Sequence, residues 1–185
     1  NILTWNKSFD RHSLEVMAGT SATTSVWEQL SGSRSYFSST NNNAIPNLNG
    51  GNNGGVRGQS YGKSEWSIMS YLARVSYNYD SKYLVTANFR ADGSSRFGID
   101  SRWGYFPSVS AGWTLSNEPF LKDALKDVAS IRLRASWGKS GNNDIGNYSS
   151  IAGISTGSYA FGTTAVSTSR LGGFADSELG WETTT

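Results

Sequence analysis

The sequence predicts an all-β chain that forms an antiparallel, up-and-down segment of a transmembrane β-barrel. Three observations support this fold class. Apolar and polar residues alternate along several stretches of about ten residues, short and long connections between those stretches alternate strictly, and the face opposite the apolar one carries charge. A helical bundle is excluded because the 185 residues are rich in Gly (21 residues), Ser, Asn and Thr, which are weak helix formers.

Composition limits the function classes. Disorder is excluded because the chain has 7 Trp, 9 Tyr and 8 Phe, and disordered chains are poor in aromatic residues. With no Cys and one His, the chain offers no disulfide scaffold, no Cys nucleophile and no multi-His metal site. A net charge of +2 is too small to indicate nucleic-acid binding. We expect no enzymatic activity, no cofactor and no nucleic-acid partner.

Six strands and the opening of a seventh are predicted from the period-2 pattern. In chain order, the predicted strands cover residues 2–9, 13–19, 69–79, 83–92, 105–116 and 131–138, and residues 181–185 open the seventh. The clearest is 83–92, in which Tyr83, Val85, Ala87, Phe89 and Ala91 share one face. Both termini fall in predicted strands, so we expect the chain to be part of a longer protein.

The connections between the predicted strands fall into two classes. The short ones are Asp10-Arg11, Asp80-Ser81-Lys82 and residues 117–130, whose apolar spacing predicts a short helix with Pro119 in its first turn. The longer ones, residues 25–66, 93–104 and 140–180, are polar and rich in Gly and Asn. Short turns at one end and long loops at the other are typical of outer-membrane barrels.

The distribution of side chains along the strands also indicates a bilayer. On the apolar face, Ala and Val lie between two sets of aromatic residues, as in the two interfacial belts of a membrane barrel. The belts are Tyr77, Tyr79, Tyr83 and Trp113 near the short turns, and Tyr105 and Trp137 near the long loops. An Arg facing lipid at mid-depth would cost about 2–4 kcal/mol, so the opposite, charged face is expected to look into a lumen. Transmembrane barrels use about eight or more strands, so a larger barrel is expected.

Several segments resemble the SusC/RagA family of TonB-linked outer-membrane proteins. The resemblance rests on residues 83–98 (YLVTANFRADGSSRFG), 102–113 (RWGYFPSVSAGW), 133–138 (LRASWG), 178–184 (ELGWETT) and 71–77 (YLARVSY). The order and spacing of these segments agree over most of the chain. The segments 25–66 and 147–177 are not covered.

The resemblance implies a barrel of about 22 strands with an N-terminal plug. Residues 1–185 would then be a partial barrel domain, with the plug and the TonB box absent from this chain. The implied function is import of oligosaccharides or peptides across the outer membrane of Bacteroidota-like bacteria. The implied partners are a SusD-like surface lipoprotein, the TonB complex through regions outside this chain, the transported substrate and outer-membrane lipid.

Two groups of side chains are candidate functional residues. Those expected to face the lumen are Arg74, Arg90, Asp92, Arg132 and Arg134. They either line the substrate path or contact the plug, or they pair with Glu15, Asp92 or acids elsewhere in the barrel. The candidate loop contacts to ligand are Trp27, Tyr36, Tyr61, Tyr148 and Tyr159. These rings either stack on sugars or pack the loops together.

Two further residues have ordinary structural interpretations. Arg96 is expected to order the loop that follows Asp92-Gly93. His12, the one residue that could act as the base of a catalytic triad, is expected to be an interfacial strand-end residue instead.

Two other functions stay open at this point. The chain could be a soluble β-sandwich that binds glycans through its loop aromatics, in which case it would fold alone in buffer. It could also belong to a passive outer-membrane porin or an adhesin. Water accessibility at Val85 and Ala87 distinguishes the soluble module from the barrel.

Overall fold

The computed structural model describes residues 1–34, 57–125, 129–176 and 178–185. Ten strands are present in this part of the chain: β1 (Ile2–Phe9), β2 (His12–Arg34), β3 (Arg57–Tyr79), β4 (Tyr83–Ser94), β5 (Trp103–Thr114), β6 (Arg132–Gly138), β7 (Ser140–Asn142), β8 (Ile154–Phe161), β9 (Thr164–Leu171) and β10 (Glu182–Thr184). A 3-10 turn (Leu115–Asn117) and helix α1 (Pro119–Leu125) connect β5 to β6. The candidate Tyr36 lies outside the described residues.

The first six strands form one sheet in the order β1-β2-β3-β4-β5-β6. Each strand therefore lies beside its neighbour in sequence, and every pair whose register is resolved is antiparallel. Ala87, for example, lies opposite Val75 on β3 and Val109 on β5. The prediction of an all-β, antiparallel, up-and-down arrangement is confirmed.

The register sorts side chains onto two faces, because successive residues of a strand point to opposite sides of the sheet. The apolar face carries large exposed side chains, among them Val75, Val85 and Val109. The buried apolar residues in the described part are Ala91, Phe97 and Phe106. A soluble β-sandwich would cover its apolar face with a second sheet, so this exposure favours a face that meets lipid.

Aromatic rings on the apolar face stack across neighbouring strands. Toward the short turns, Tyr83 stacks on both Tyr79 and Trp113, with ring centroids 6.3 and 6.4 Å apart. Toward the longer connection between β4 and β5, Phe89 stacks on Tyr105 at 6.2 Å. Tyr71 on β3 stacks on Trp103 of β5 at 5.8 Å, which reaches across the intervening strand β4. Such offset stacks add to the stability gained from burial alone. The outer belt is therefore broader than the predicted Tyr105 and Trp137.

The short connections lie side by side at one rim of the sheet. The Asp80 amide donates to the Arg11 carbonyl at 2.7 Å, and the Asn117 side-chain amide donates to the Ser81 carbonyl at 3.0 Å. Asp10, Asp80 and Ser81 have φ values of 51°, 51° and 55°, a region in which Asp is found more often than most residues. These contacts join three successive connections, as their positions in the sequence predict.

Two predicted loops contain strands. Residues 25–34 and 57–66, predicted as parts of one loop, belong to β2 and β3, so each of these strands has 23 residues. The predicted loop 140–180 contains β7 and the hairpin β8–β9. Most side chains on these strand segments are exposed, so no buried face imposes the alternation on which the predictions relied.

The seventh strand is present, with a partner that was not predicted. Strand β10 pairs antiparallel with β7, for example Thr183 with Gly141. Strand β7 follows β6 after one intervening residue, Lys139, whose amide donates to the Pro107 carbonyl on β5 at 2.9 Å.

The short helix predicted within residues 117–130 is present. Helix α1 covers Pro119–Leu125, and residues 126–128 lie outside the described part.

The chain divides into two compact units. The first comprises Asn1–Thr23 and Ser67–Thr185, and the second comprises Thr24–Trp66. Within the second unit, the Ser31 and Ser60 hydroxyls lie 2.6 Å apart, and Lys63 Nζ is 3.1 Å from Glu65 Oε2.

The helices in the described part of the chain were also compared with the length and apolar character of a membrane-spanning helix. None of them meets both requirements.

Candidate functional site

The polar face of the sheet contains a cavity in the first unit. Its volume is about 540 Å³, within the range of about 300–1,000 Å³ typical of ligand sites. Three of the five predicted lumen residues, Arg74, Arg90 and Asp92, line it together with Lys139. The other two, Arg132 and Arg134, line a second cavity of about 330 Å³ on the same face. The alternation pattern therefore identified residues that share one face.

Arg90 and Asp92 form an ion pair on β4. They lie two residues apart, so their side chains point to the same face. Arg90 Nε lies 2.6 Å from one Asp92 carboxylate oxygen and 2.8 Å from the other, and Arg90 Nη2 donates to the Ser70 hydroxyl at 3.3 Å. Asp92 is only 6% exposed. A buried carboxylate is costly without a charged partner, and Arg90 supplies that partner.

Arg74 begins a chain of hydrogen bonds across three strands. Its Nε donates to Asn88 Oδ1 at 2.8 Å, and Asn88 Nδ2 donates to the Ser108 hydroxyl at 3.2 Å. The register aligns these residues, because Asn88 lies opposite both Arg74 and Ser108. The guanidinium of Arg74 therefore has a neutral partner rather than an acid.

The two cations on β6 lie nearer the short-turn rim. Arg132 Nε donates to the Thr114 hydroxyl at 3.0 Å, and Arg134 is exposed. In the part of the chain that the structure describes, neither guanidinium lies within 4 Å of a carboxylate. Of the predicted arginine–acid pairs, only Arg90–Asp92 is present within these ranges.

An aromatic corner at the edge of the first cavity was not predicted. The Trp181 ring lies 5.2 Å from Phe97 and 5.1 Å from Phe106 between centroids, and its indole Nε1 donates to the Arg102 carbonyl at 3.0 Å. Gly104 and Gly141 leave space for these rings, since a Cβ at Gly141 would overlap Phe106. The signal available in the sequence was a Trp directly after a predicted loop, which does not reveal contacts with Phe106, 75 positions away.

Arg96 connects two of the longer connections. Its Nε donates to Asn147 Oδ1 at 2.9 Å, and its Nη1 donates to the Asn143 carbonyl at 3.0 Å. Asn143 Nδ2 in turn donates to the fully buried Ser94 hydroxyl at 3.3 Å. The contacts agree with the expectation that Arg96 orders its loop, and they add the 143–147 segment as its partner.

The loop aromatics are divided between the two units. Trp27 and Tyr61 lie on β2 and β3 in the second unit, and both are exposed. Tyr148 and Tyr159 are exposed in the first unit; Tyr148 has φ of 65°, and the Tyr159 ring lies 6.3 Å from Phe161. Their roles as ligand contacts stay predictions.

His12 lies at the short-turn rim among aromatic residues. Its Nδ1 is 2.6 Å from the Tyr77 hydroxyl, and its ring stacks on Phe9 at 4.9 Å between centroids. The hydrogen-bonding partner is therefore a tyrosine from the aromatic belt rather than a serine or a carboxylate. This environment agrees with the interfacial interpretation.

Glu118 joins the polar ends of two belt residues at the same rim. Tyr83 Oη and Trp113 Nε1 both donate to Glu118 Oε1, at 2.6 and 3.0 Å, and Lys82 Nζ lies 3.8 Å from the other carboxylate oxygen. The hydrogen bond from Tyr83, followed by that from Trp113, holds the pKa of Glu118 below its ordinary value of 4.5. These contacts tie the connection between β5 and β6 to β4.

The exposed apolar face, the charged opposite face and the row of short connections define a segment of an outer-membrane β-barrel. The TonB-dependent receptor P39 of Formosa agariphila is 35% identical over 185 residues, which is the whole of this chain and 17% of that receptor. The receptor P3 of the same species is 36% identical over 184 residues and 18% of its own length. The TonB-dependent receptor SusC of Bacteroides thetaiotaomicron is 40% identical over 124 residues, or 64% of this chain and 12% of SusC.

Solved structures give the same fold. A chain of the RagAB peptide importer in its closed-closed state matches with a TM-score of 0.85 at 23% identity, over 98% of this chain and 20% of that chain. No sequence-family profile matches. The chain belongs to the SusC/RagA type of TonB-dependent receptors, which are proteins of the bacterial outer membrane. It spans less than a fifth of the length of each of the three curated relatives.

Proposed function

We propose that this chain forms part of the barrel wall of a receptor that imports nutrients across the outer membrane. The observation that carries the proposal is the two-faced sheet. One face exposes stacked aromatic and aliphatic side chains, and the other carries hydrogen-bonded charges around a cavity. Lipid suits the first face and an aqueous lumen suits the second, because charge facing lipid at mid-depth costs about 2–4 kcal/mol per Arg.

The relatives support the finer parts of this proposal. The relatives reported above are TonB-dependent receptors, and the matching solved structure is that of the RagAB peptide importer. By analogy, the TonB complex supplies energy, a SusD-like lipoprotein on the cell surface is the partner, and oligosaccharides or peptides are the imported solutes. Residues 1–185 then belong to the barrel domain, and the plug and TonB box lie in other parts of the receptor. A passive porin would share the sheet but would need no TonB.

Adjacent residues on β4 provide a matched test of orientation. We expect Cys introduced at Val85 or Ala87 to be protected from a water-soluble maleimide in purified outer membranes. Cys introduced at Thr86 or Asn88, on the other face of the same strand, should react with maleimide when the reagent is supplied to both sides of the membrane. Equal aqueous reactivity at positions 85 and 86 would contradict the barrel orientation.

Uptake tests the energy requirement separately. Cells that express the complete receptor should accumulate its solute, and deletion of TonB should abolish that accumulation while leaving the receptor in the outer membrane. Accumulation that is unchanged without TonB would favour the passive porin. Deletion of the SusD-like partner should reduce uptake at low solute concentration, where capture from the medium limits the rate.

A further inference from the structure

The segments of β2 and β3 in the second unit present two different faces. The Ser31 and Ser60 hydroxyls lie 2.6 Å apart, so these two residues share a face. A Cβ at Gly62 would lie 3.7 Å from Trp27 Cζ3, so these two positions share a face as well. Because residues two apart on a strand point to the same side, all four positions belong to one face, which we call the tryptophan face.

The Trp27 ring leans across the surface of the two strands. Its far edge, at Cζ3, lies beside the position that a Cβ would occupy at Gly62 on the neighbouring strand. The indole therefore extends over β3 instead of standing upright on β2. Trp27 is 55% exposed, so the outer side of this ring is accessible for stacking.

The positions near Trp27 on the tryptophan face carry small or polar side chains. Gln29 and Ser31 follow on the same side of β2, about 7 and 13 Å from Trp27 along the strand, and Ser60 and Gly62 lie on β3. Amide and hydroxyl groups therefore accompany one flat apolar ring. A pyranose has matching chemistry, since C–H groups cover the faces of its ring and hydroxyls surround its edge.

We propose that Trp27 is a stacking platform for one sugar ring of a glycan, and that the Gln29 amide bonds the hydroxyls of that sugar. The Ser31–Ser60 pair then meets a further sugar of a chain that runs along the strand. This inference names a solute class for the proposed import function and therefore rests on that function.

The competing explanation is that Trp27 packs against another protein surface. The core of a protein interface is enriched in large aromatic residues and depleted of Ser, and its anchor residues cluster. The tryptophan face instead surrounds one exposed ring with Ser, Gln and Gly, and Trp66 on the same face is only partly exposed. The opposite face, where Val26, Leu30 and Tyr61 are exposed together, is closer to such an interface. The composition beside Trp27 thus favours a sugar.

Equilibrium binding to the complete, purified receptor tests the platform. The probes are four neutral hexasaccharides, maltohexaose, cellohexaose, xylohexaose and mannohexaose, with tetra-alanine as a neutral peptide. We expect at least one hexasaccharide to bind, and Trp27→Ala to weaken that binding about tenfold, the size expected when one stacked aromatic ring is lost. Trp27→Phe should retain most of the affinity. Tyr61→Ala is the matched control and should leave the affinity unchanged, because Tyr61 follows Ser60 directly and so lies on the opposite face.

Hydroxyl-radical footprinting of the wild-type receptor needs no substitution, so the test stands even if a variant fails to assemble. Saturation with the bound hexasaccharide should slow the oxidation of Trp27 relative to that of Tyr61. Free sugar also consumes radicals, so the ratio of the two oxidation rates is the quantity to measure.

The outcomes separate the two explanations. Weaker sugar binding in Trp27→Ala, together with a lower Trp27-to-Tyr61 oxidation ratio, supports the platform. It is overturned if none of the hexasaccharides binds, if Trp27→Ala and Tyr61→Ala lose affinity equally, or if the ratio does not change. A Trp27→Ala receptor that binds sugar normally but loses tetra-alanine or a copurifying lipoprotein also overturns it. The maleimide and uptake measurements judge the import function without involving Trp27, so either idea can fail alone.

Discussion

The side chains on the two faces of the six-stranded sheet are stabilised by different kinds of contact. On the apolar face, side chains such as Val85 and Val109 have little covering them within the chain, and the main specific contacts are stacked rings across strands. On the polar face, Asp92 and Ser70 are buried and bonded to named partners. The first face tolerates changes among apolar residues, because lipid adapts to their shape. The second depends on geometry, because each buried polar group needs its partner.

The largest expected difference between the faces follows from introducing one charge. Ala87→Arg places a guanidinium on the apolar face between the two aromatic belts, and we expect it to lower the free energy of unfolding of the receptor in lipid vesicles by about 2–4 kcal/mol. Thr86→Arg is the matched control, since Thr86 lines the 330 Å³ cavity on the other face. Denaturant titration of both variants gives the comparison, and equal losses would contradict the assignment of the faces.

The next effect concerns packing beside the polar cavity. Gly141→Ala would force the Phe106 and Trp181 rings to move, and overpacking of this kind costs about 1–3 kcal/mol. Gly153→Ala is the control, because a Cβ there meets no atom within 4 Å, while it restricts the unfolded chain equally. Denaturant midpoints should fall for the first variant alone. Identical midpoints would show that the aromatic corner adapts without cost.

A smaller, local effect is expected from substituting Arg96, whose side chain links two of the longer connections between strands. Arg96→Ala removes the guanidinium donors to Asn147 Oδ1 and to the Asn143 carbonyl. Hydrogen exchange in residues 143–147 should become about tenfold faster, equivalent to about 1.4 kcal/mol, with little change elsewhere. Arg102→Ala is the control, since the backbone carbonyl of Arg102, which substitution preserves, accepts the Trp181 bond. Unchanged exchange after loss of Arg96 would mean that other contacts hold the segment.

The smallest effect is a pH dependence at the short-turn rim. The pKa of Glu118 is lowered in the folded protein, chiefly by the hydrogen bond from Tyr83. Stability from this group is therefore fully present above the ordinary value of 4.5 and is lost as the pH falls through the lowered folded pKa. Glu118→Gln should remove that part of the acid-limb slope, whereas Glu178→Gln should not. Parallel stability profiles for wild type and Glu118→Gln below pH 4.5 would refute this.

The local sequence pattern was sufficient to predict the strands that have a consistent apolar face. Residues 83–92 alternate throughout, and the turn Asp80-Ser81-Lys82 set the register, so the pairing of Tyr79 with Tyr83 followed. The same alternation placed Arg90 beside Asp92. It failed for β8 and β9, where small polar residues prevail and nearly every side chain is exposed. A hydrophobic pattern arises where a face must be buried or meet lipid, and it is weak elsewhere.

The residues of the candidate site differ in the same way: some could be predicted from local spacing, and others could not. Arg74, Arg90 and Asp92 could be assigned to one face from spacing alone, because the period of a strand is two. The contact of Trp181 with Phe106 and the bridge from Arg96 to Asn147 join residues about 50 to 75 positions apart. Spacing has no bearing on such pairs, since the path of the intervening chain decides them.

The sequence by itself therefore determined the fold class, the order of the first six strands and the two kinds of face, because these follow from the two-residue period of a strand and from the lengths of the connections. Only the tertiary structure decided which cations have acidic partners, how the aromatic corner fills the space beside two glycines, and that β10 pairs with β7. The physical reason is the separation along the chain over which each interaction acts. Alternation acts between neighbours in sequence, whereas charge pairing and ring packing depend on distances that only the folded sheet sets.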